Sequence, residues 1–163
     1  MMNVGFTFLL LGLLAATLVW IAVFDIRTYT ISDHLNLGIA VLAPVYWWAA
    51  GVPLWPDAAM QAGVAILVFL LFAGAFYLNV MGGGDVKLAG ALALWFTPYD
   101  TLRLIVIMSI AGGLLTLIVL GVHRSRKKMG KPEVPYGVAI AVGGLWLLAQ
   151  RFLNQFAGLS LGN

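Results

Sequence analysis

Two aspartates sit where an apolar segment has no structural use for them. Asp25 closes an apolar run covering 4–24, and Asp85 follows Gly82, Gly83 and Gly84 at the head of another. A carboxylate at membrane depth costs about 2.5–3.5 kcal/mol on insertion scales, so an acid kept there points to function. Two carboxylates held close cannot both ionise readily and share a proton. The charged member can then take a proton from water while the neutral one donates to a carbonyl, the division of labour in aspartic proteolysis. The plainer alternative makes each a solvated acid at a helix end. The glycines bear on the choice, because they open backbone conformations closed to other residues and leave room for a second chain. Close helix packing would also explain a glycine run, but not the Asp directly behind it. Asp85 would then lie at a helix N-terminus, where the dipole favours negative charge.

The elements that must carry these residues follow from composition. The chain has 163 residues, 63% hydrophobic and 9% charged, with a mean hydropathy of +1.02. A soluble domain is roughly a quarter charged, so a water-soluble globule, a disordered chain and a nucleic-acid-binding module are excluded. The length suits one membrane-embedded domain, 1–163. Cysteine is absent, which removes disulfides, Cys-ligated zinc, iron–sulfur centres and thiol nucleophiles. His34 and His123 lack partners at metal-ligand spacing, so neither a metal nor a cofactor is expected. No positive n-region precedes the first apolar run, which reads as a permanent span and not a cleaved signal.

A spanning helix needs about 20 mostly apolar residues. Runs at 4–24, 35–50, 58–78, 86–96, 102–122 and 136–152 predict an all-α, polytopic protein of six transmembrane helices. The fourth is short and led by the glycine segment; starting it inside that segment, or local thinning of the bilayer, would absorb the difference. Six spans place both termini on one side. Arg27, Lys87, Arg124, Arg126, Lys127, Lys128 and Lys131 then share one face, and only Arg103 and Arg151 lie toward the other. That bias makes the basic face cytoplasmic, with Asp25 and Asp85 on it and both termini outside.

Gly82-Gly83-Gly84-Asp85-Val86-Lys87-Leu88 resembles the Gly-x-Gly-Asp motif of type IV prepilin peptidases, a class of intramembrane aspartic protease. Phe24-Asp25-Ile26-Arg27 with Ile31-Ser32-Asp33 resembles that family's first-aspartate motif, and Pro135-Tyr136-Gly137 with Ala139, Ile140 and Gly143-Gly144 its final-helix pattern. The likeness runs over essentially the whole chain and is strongest to the small branch that processes Flp pilins of tight-adherence systems. It implies Asp25 and Asp85 as the catalytic pair, with Gly82, Gly83, Gly84, Lys87, Asp33, Tyr136 and Gly137 in support. It further implies a bacterial inner-membrane enzyme that cuts the short leader of a prepilin or pseudopilin at the cytoplasmic face. Ser32 stands where the family usually has Pro, which leaves the turn after Asp25 less rigid. Larger members add a cytosolic methyltransferase portion with paired Cys-x-x-Cys motifs; lacking cysteines, this chain is not expected to N-methylate its product.

The remaining polar residues read more simply. Asp33 is expected to cap the second helix, and Lys87 to mark the cytoplasmic boundary in preference to tuning the pair. Asp57, Asp100 and Glu133 read as solvated. The Arg124–Lys131 cluster could also meet anionic membrane lipid. Gly112-Gly113 and Gly143-Gly144 are expected to permit close helix contacts. The rival from another class is a small proton- or cation-coupled transporter that uses Asp25 and Asp85 as its ion site. A third reading is a non-catalytic assembly subunit, in which neither Asp matters.

Overall fold

The computed structural model describes residues 4–125 and 134–160, with side chains as far as residue 154. Among the described residues the chain is all helix: α1 (Val4–Thr28), α2 (Asp33–Ala50), α3 (Ala59–Tyr77), α4 (Gly83–Ala93), α5 (Pro98–Ser125) and α6 (Tyr136–Ser160). A short wide turn, Leu54–Ala58, leads into α3.

The helix ends are set by local chemistry. Gly51 ends α2 in the left-handed region, φ 69°, with its N–H returned to the Trp47 and Trp48 carbonyls, a glycine C-terminal cap. Pro98 takes the first position of α5, where its missing N–H costs nothing. Thr97 caps that helix by accepting the Asp100 N–H at 3.2 Å. Two boundaries differ from the sequence expectation. α1 runs one turn beyond its apolar run, so Asp25 lies inside the helix, and α5 continues through His123 and Arg124 where a loop was expected. α4 begins inside the glycine segment, at Gly83.

Four helical stretches are long and apolar enough to cross a membrane: Val4–Thr28, Leu54–Tyr77, Pro98–Ser125 and Tyr136–Asn154. Their outward faces carry large bare side chains such as Trp20, Leu67, Leu71, Ile110 and Leu117, a surface stable only against lipid. The protein is a multi-pass membrane protein. α2 and α4, read from the sequence as two further spans, fall outside this class. α4, with 11 residues, rises about 17 Å. Instead of facing lipid, it is sheathed by α2, α3 and α6, with every residue from Leu88 to Ala93 buried.

The hydrogen bonds that cross between helices sort the connections into two ends. At one end, the Asn36 amide of α2 donates to the Gly84 carbonyl of α4, and Asp25 of α1 meets Val138 of α6. At the other, the Trp47 indole N–H donates to the Leu94 carbonyl at 2.8 Å and the buried Trp95 indole to Ile39 at 2.9 Å. The Trp47 indole satisfies a carbonyl that the end of α4 leaves unpaired, and Ile39 gives the buried Trp95 indole its acceptor. α2 and α3 scarcely touch, and a cavity of about 470 Å³ opens between them over α4. The residues Arg126, Lys127, Lys128, Lys131 and Glu133 lie outside the described residues.

Candidate active site

Asp25 occupies the last turns of α1 and is 3% exposed. Its carboxylate meets the first turn of α6, where Val138 donates its N–H to Oδ2 at 3.2 Å and Gly137 donates as well. The first N–H groups of a helix have no partner within it, and a carboxylate satisfies them with charge-assisted bonds. Gly137 is what lets the two approach. A methyl group there would lie 2.7 Å from Oδ2 and 2.9 Å from Cγ of Asp25.

Asp85 is placed by its own helix. Gly82 is the N-cap of α4 and Asp85 its third residue. The Asp85 carboxylate reaches back to the Gly82 N–H, the return half of a capping box. A methyl on Gly82 would stand 2.8 Å from Asp85 Oδ2. Gly83 packs against the Phe76 ring of α3, which leaves 3.3 Å for a methyl. Ile31, from the connection between α1 and α2, wedges between the two helix starts. It would lie 3.1 Å from a methyl on Gly84 and 2.8 Å from one on Gly137. Asp25 and Asp85, sixty positions apart in sequence, thereby come close enough for their charges to act on each other. Each is bonded at a helix N-terminus, so the dipole argument that singled out Asp85 in the sequence applies equally to Asp25.

The other residues singled out in the sequence divide. Gly82 and Gly137 lie against the two carboxylates, while Gly83 packs on Phe76 and Gly84 on Ile31. Asp33 does not cap α2: the capping position is Ser32, no side chain bonds there, and Asp33 is the first residue of the helix. Its carboxylate instead takes the Lys87 ammonium at 2.8 Å. Lys87 therefore ties α4 to α2. Tyr136 packs against Gly112 and sets its hydroxyl 3.3 Å from Thr116 Oγ1, joining α6 to α5. Gly143 and Gly144 meet Leu104 and Leu18 closely, whereas a methyl on Gly113 would meet nothing within 4 Å. Asp57 is exposed, but Asp100 is not a free solvated acid: it pairs with Arg103 at 3.3 Å and Arg151 at 3.9 Å. No group of three or more His, Cys, Asp or Glu able to hold a metal occurs among the described residues.

Sequence reasoning missed Asn36. It is 3% exposed, its Nδ2 donates to the Gly84 carbonyl at 3.1 Å, and its Oδ1 has no hydrogen-bond partner among the described residues. The amide fixes the glycine turn one residue before Asp85. A polar side chain inside an apolar helical run was the available signal.

Chemically, the arrangement brings two carboxylates within electrostatic reach of each other, one nearly enclosed, at an end of the bundle where connections gather. Such a pair can hold one proton between two acids and polarise a water.

The chain is similar in sequence to known proteins. The type IV leader peptidase family matches residues 12–117 of the chain. A prepilin leader peptidase/N-methyltransferase of Pectobacterium carotovorum subsp. carotovorum is 26% identical over 146 residues, covering 87% of this chain and 51% of that protein. A protein of the same name from Burkholderia pseudomallei strain 1026b is 30% identical over 143 residues, covering 82% and 43%. The chain thus spans about half the length of the curated relatives it matches. No solved structure matches it. With the profile match extending over well more than half of its residues, this chain belongs to the type IV leader peptidase family.

Proposed function

We propose that the protein is an intramembrane aspartyl endopeptidase that removes the short leader of type IV prepilins of the Flp, tight-adherence kind. The observation that carries this reading is the convergence of Asp25 and Asp85 from two helices onto one site, each bonded to backbone N–H groups at a helix start. The apolar helix of the prepilin docks laterally among the spans and its basic leader stays in the cytoplasm. One aspartate takes a proton from water as the oxygen attacks the scissile carbonyl. The other gives its proton to the carbonyl oxygen to form the gem-diol; on collapse the first protonates the departing amine and the second regains a proton from a gem-diol hydroxyl, so the pair ends as it began. Protons leave such a pair in steps that belong to both carboxylates together. The excess of Lys and Arg at the Asp25–Asp85 end in the sequence supports a cytoplasmic-facing site in the bacterial inner membrane. The proposal covers proteolysis alone and assigns no methyl transfer to these residues.

The test is co-expression with a Flp-type prepilin, with leader removal read as a gel shift. Wild type processes the prepilin, while Asp25→Asn and Asp85→Asn accumulate the precursor at equal expression. Full processing by either variant would sink the pair as the catalytic machinery.

A further inference from the structure

The two arginines that break the charge bias, Arg103 and Arg151, lie together at the end of the bundle remote from the aspartates. Arg151 stands fourteen residues beyond Gly137 on α6, about 21 Å along the helix. That distance approaches the thickness of a bilayer core, so the pair sits near the level of the opposite lipid headgroups.

The corner they form is polar and positively charged. Arg103 Nη1 lies 3.3 Å from Asp100 Oδ1, and its Nη2 donates to Gln150 Oε1. Arg151 Nη1 donates to the Tyr46 hydroxyl at 2.7 Å and to the Trp95 carbonyl at 3.4 Å, while Nη2 is 3.9 Å from Asp100 Oδ2. The Arg151 guanidinium also lies over the Tyr46 and Phe96 rings, and that of Arg103 over Tyr99. One carboxylate therefore serves two guanidiniums, and one positive charge is left over. The side chains are 35% exposed for Arg103 and 20% for Arg151. The Arg151 charge, four-fifths covered, is costly to leave without a partner. Each guanidinium has five N–H donors. The bonds above occupy two on Arg103 and at most three on Arg151. The free donors border a cavity of about 280 Å³ lined by Asp100, Arg103, Leu147, Gln150, Arg151 and Asn154.

We propose that this corner binds a phosphate group, held in the fork of Arg103 and Arg151 with Gln150 and Asn154 beside it. Guanidinium forks match phosphate oxygens by charge and by planar bidentate geometry, and the headgroup level at which this pair sits is where phosphate is abundant. An anionic lipid headgroup and a free phosphate share this chemistry. The inference is independent of the proteolytic reading, because it uses none of the residues at the aspartate pair.

The experiment uses the full chain purified in detergent, with native mass spectrometry of retained phosphatidylglycerol against phosphatidylcholine. A parallel arm adds inorganic phosphate as competitor and as the only phosphate source. Wild type retains the anionic lipid preferentially. Arg103→Gln and Arg151→Gln each lower that retention about fivefold, at roughly 1 kcal/mol per charge. Asp100→Asn raises it by freeing guanidinium donors, a gain that a purely structural ion cluster would not produce. Arg103→Gln keeps the Arg151 bonds to Tyr46 and Trp95, so it decides the matter if Arg151→Gln does not fold. Phosphatidylglycerol that inorganic phosphate cannot displace identifies a lipid site, and displacement with stabilisation by inorganic phosphate identifies a free-phosphate site. Equal retention of both lipids together with no effect of inorganic phosphate overturns the proposal, as does retention unchanged in Arg103→Gln or lowered in Asp100→Asn.

Discussion

Gly137→Ala is the sharpest probe of the aspartate pair, because one methyl group meets the carboxylate directly. Built on the backbone of α6, the methyl lies 2.7 Å from Asp25 Oδ2, 2.9 Å from Cγ and 2.8 Å from Ile31 Cδ1. Non-bonded heavy atoms sit at about 3.5–4.0 Å, so the carboxylate must retreat by roughly 0.8 Å or more. Its bond from the Val138 N–H, already 3.2 Å, would stretch to about 4 Å and cease to be one. A displacement near 1 Å in a positioned catalytic group costs on the order of 100-fold in rate. Stability moves much less. Losing a bond to a charged group costs about 1.5–3 kcal/mol, while Gly→Ala within a helix returns about 1 kcal/mol. The expected result is leader removal slowed about 100-fold in a membrane time course, with a Tm within a few degrees of wild type. Gly113→Ala is the matched control, since its methyl meets nothing within 4 Å, and it should cut at the wild-type rate. Gly137→Ala cutting at the wild-type rate would refute the claim that the approach of α6 to Asp25 positions a reacting group.

Asn36→Ala removes the donor to the Gly84 carbonyl and, with it, a buried acceptor that has no partner, so the two effects partly cancel. A loss of about 1 kcal/mol in thermal or denaturant unfolding is expected, accompanied by slower prepilin processing because the turn before Asp85 loosens. Processing at the wild-type rate in a variant that shows the stability loss would limit Asn36 to a packing role. The Lys87–Asp33 pair, with side chains 48% and 69% exposed, should contribute under about 1 kcal/mol. A double-mutant cycle with Lys87→Gln and Asp33→Asn should give a coupling that shrinks as salt rises, and a coupling of several kcal/mol at high salt would contradict this.

What the sequence revealed, and what it withheld, divides along a physical line. α1, α3, α5 and α6 were legible because an apolar run of spanning length is a local property. The start of α4 was legible because three consecutive glycines before an acid suit a helix N-terminus. The motif likeness also named Asp25, Asp85 and Gly137 before any geometry was known. The misread polar groups have at least one partner far away in sequence. Asp33 looked like a cap because its neighbours are helix-start residues, yet its partner Lys87 is 54 positions on. Asp100 looked solvated because it follows a turn, yet Arg151 comes from the far side of α6. Asn36 drew no notice at all, since nothing near it in sequence shows that Gly84 will arrive beside it. Local pattern specifies which face of a helix is apolar; it does not say which helix will cover that face.

α4 carries Asp85 at its first turn, is about 17 Å long and is wrapped by three neighbours. Acyl chains of different length re-tilt helices that match the bilayer with their own flanks. A helix enclosed by its neighbours has no such flank to match. The height of Asp85 relative to Asp25 is therefore fixed by contacts such as Gly90 against Phe69 and Gly84 against Ile31, and not by where the lipid ends. Membranes of different chain length should shift the whole bundle while leaving the distance between the two carboxylates unchanged.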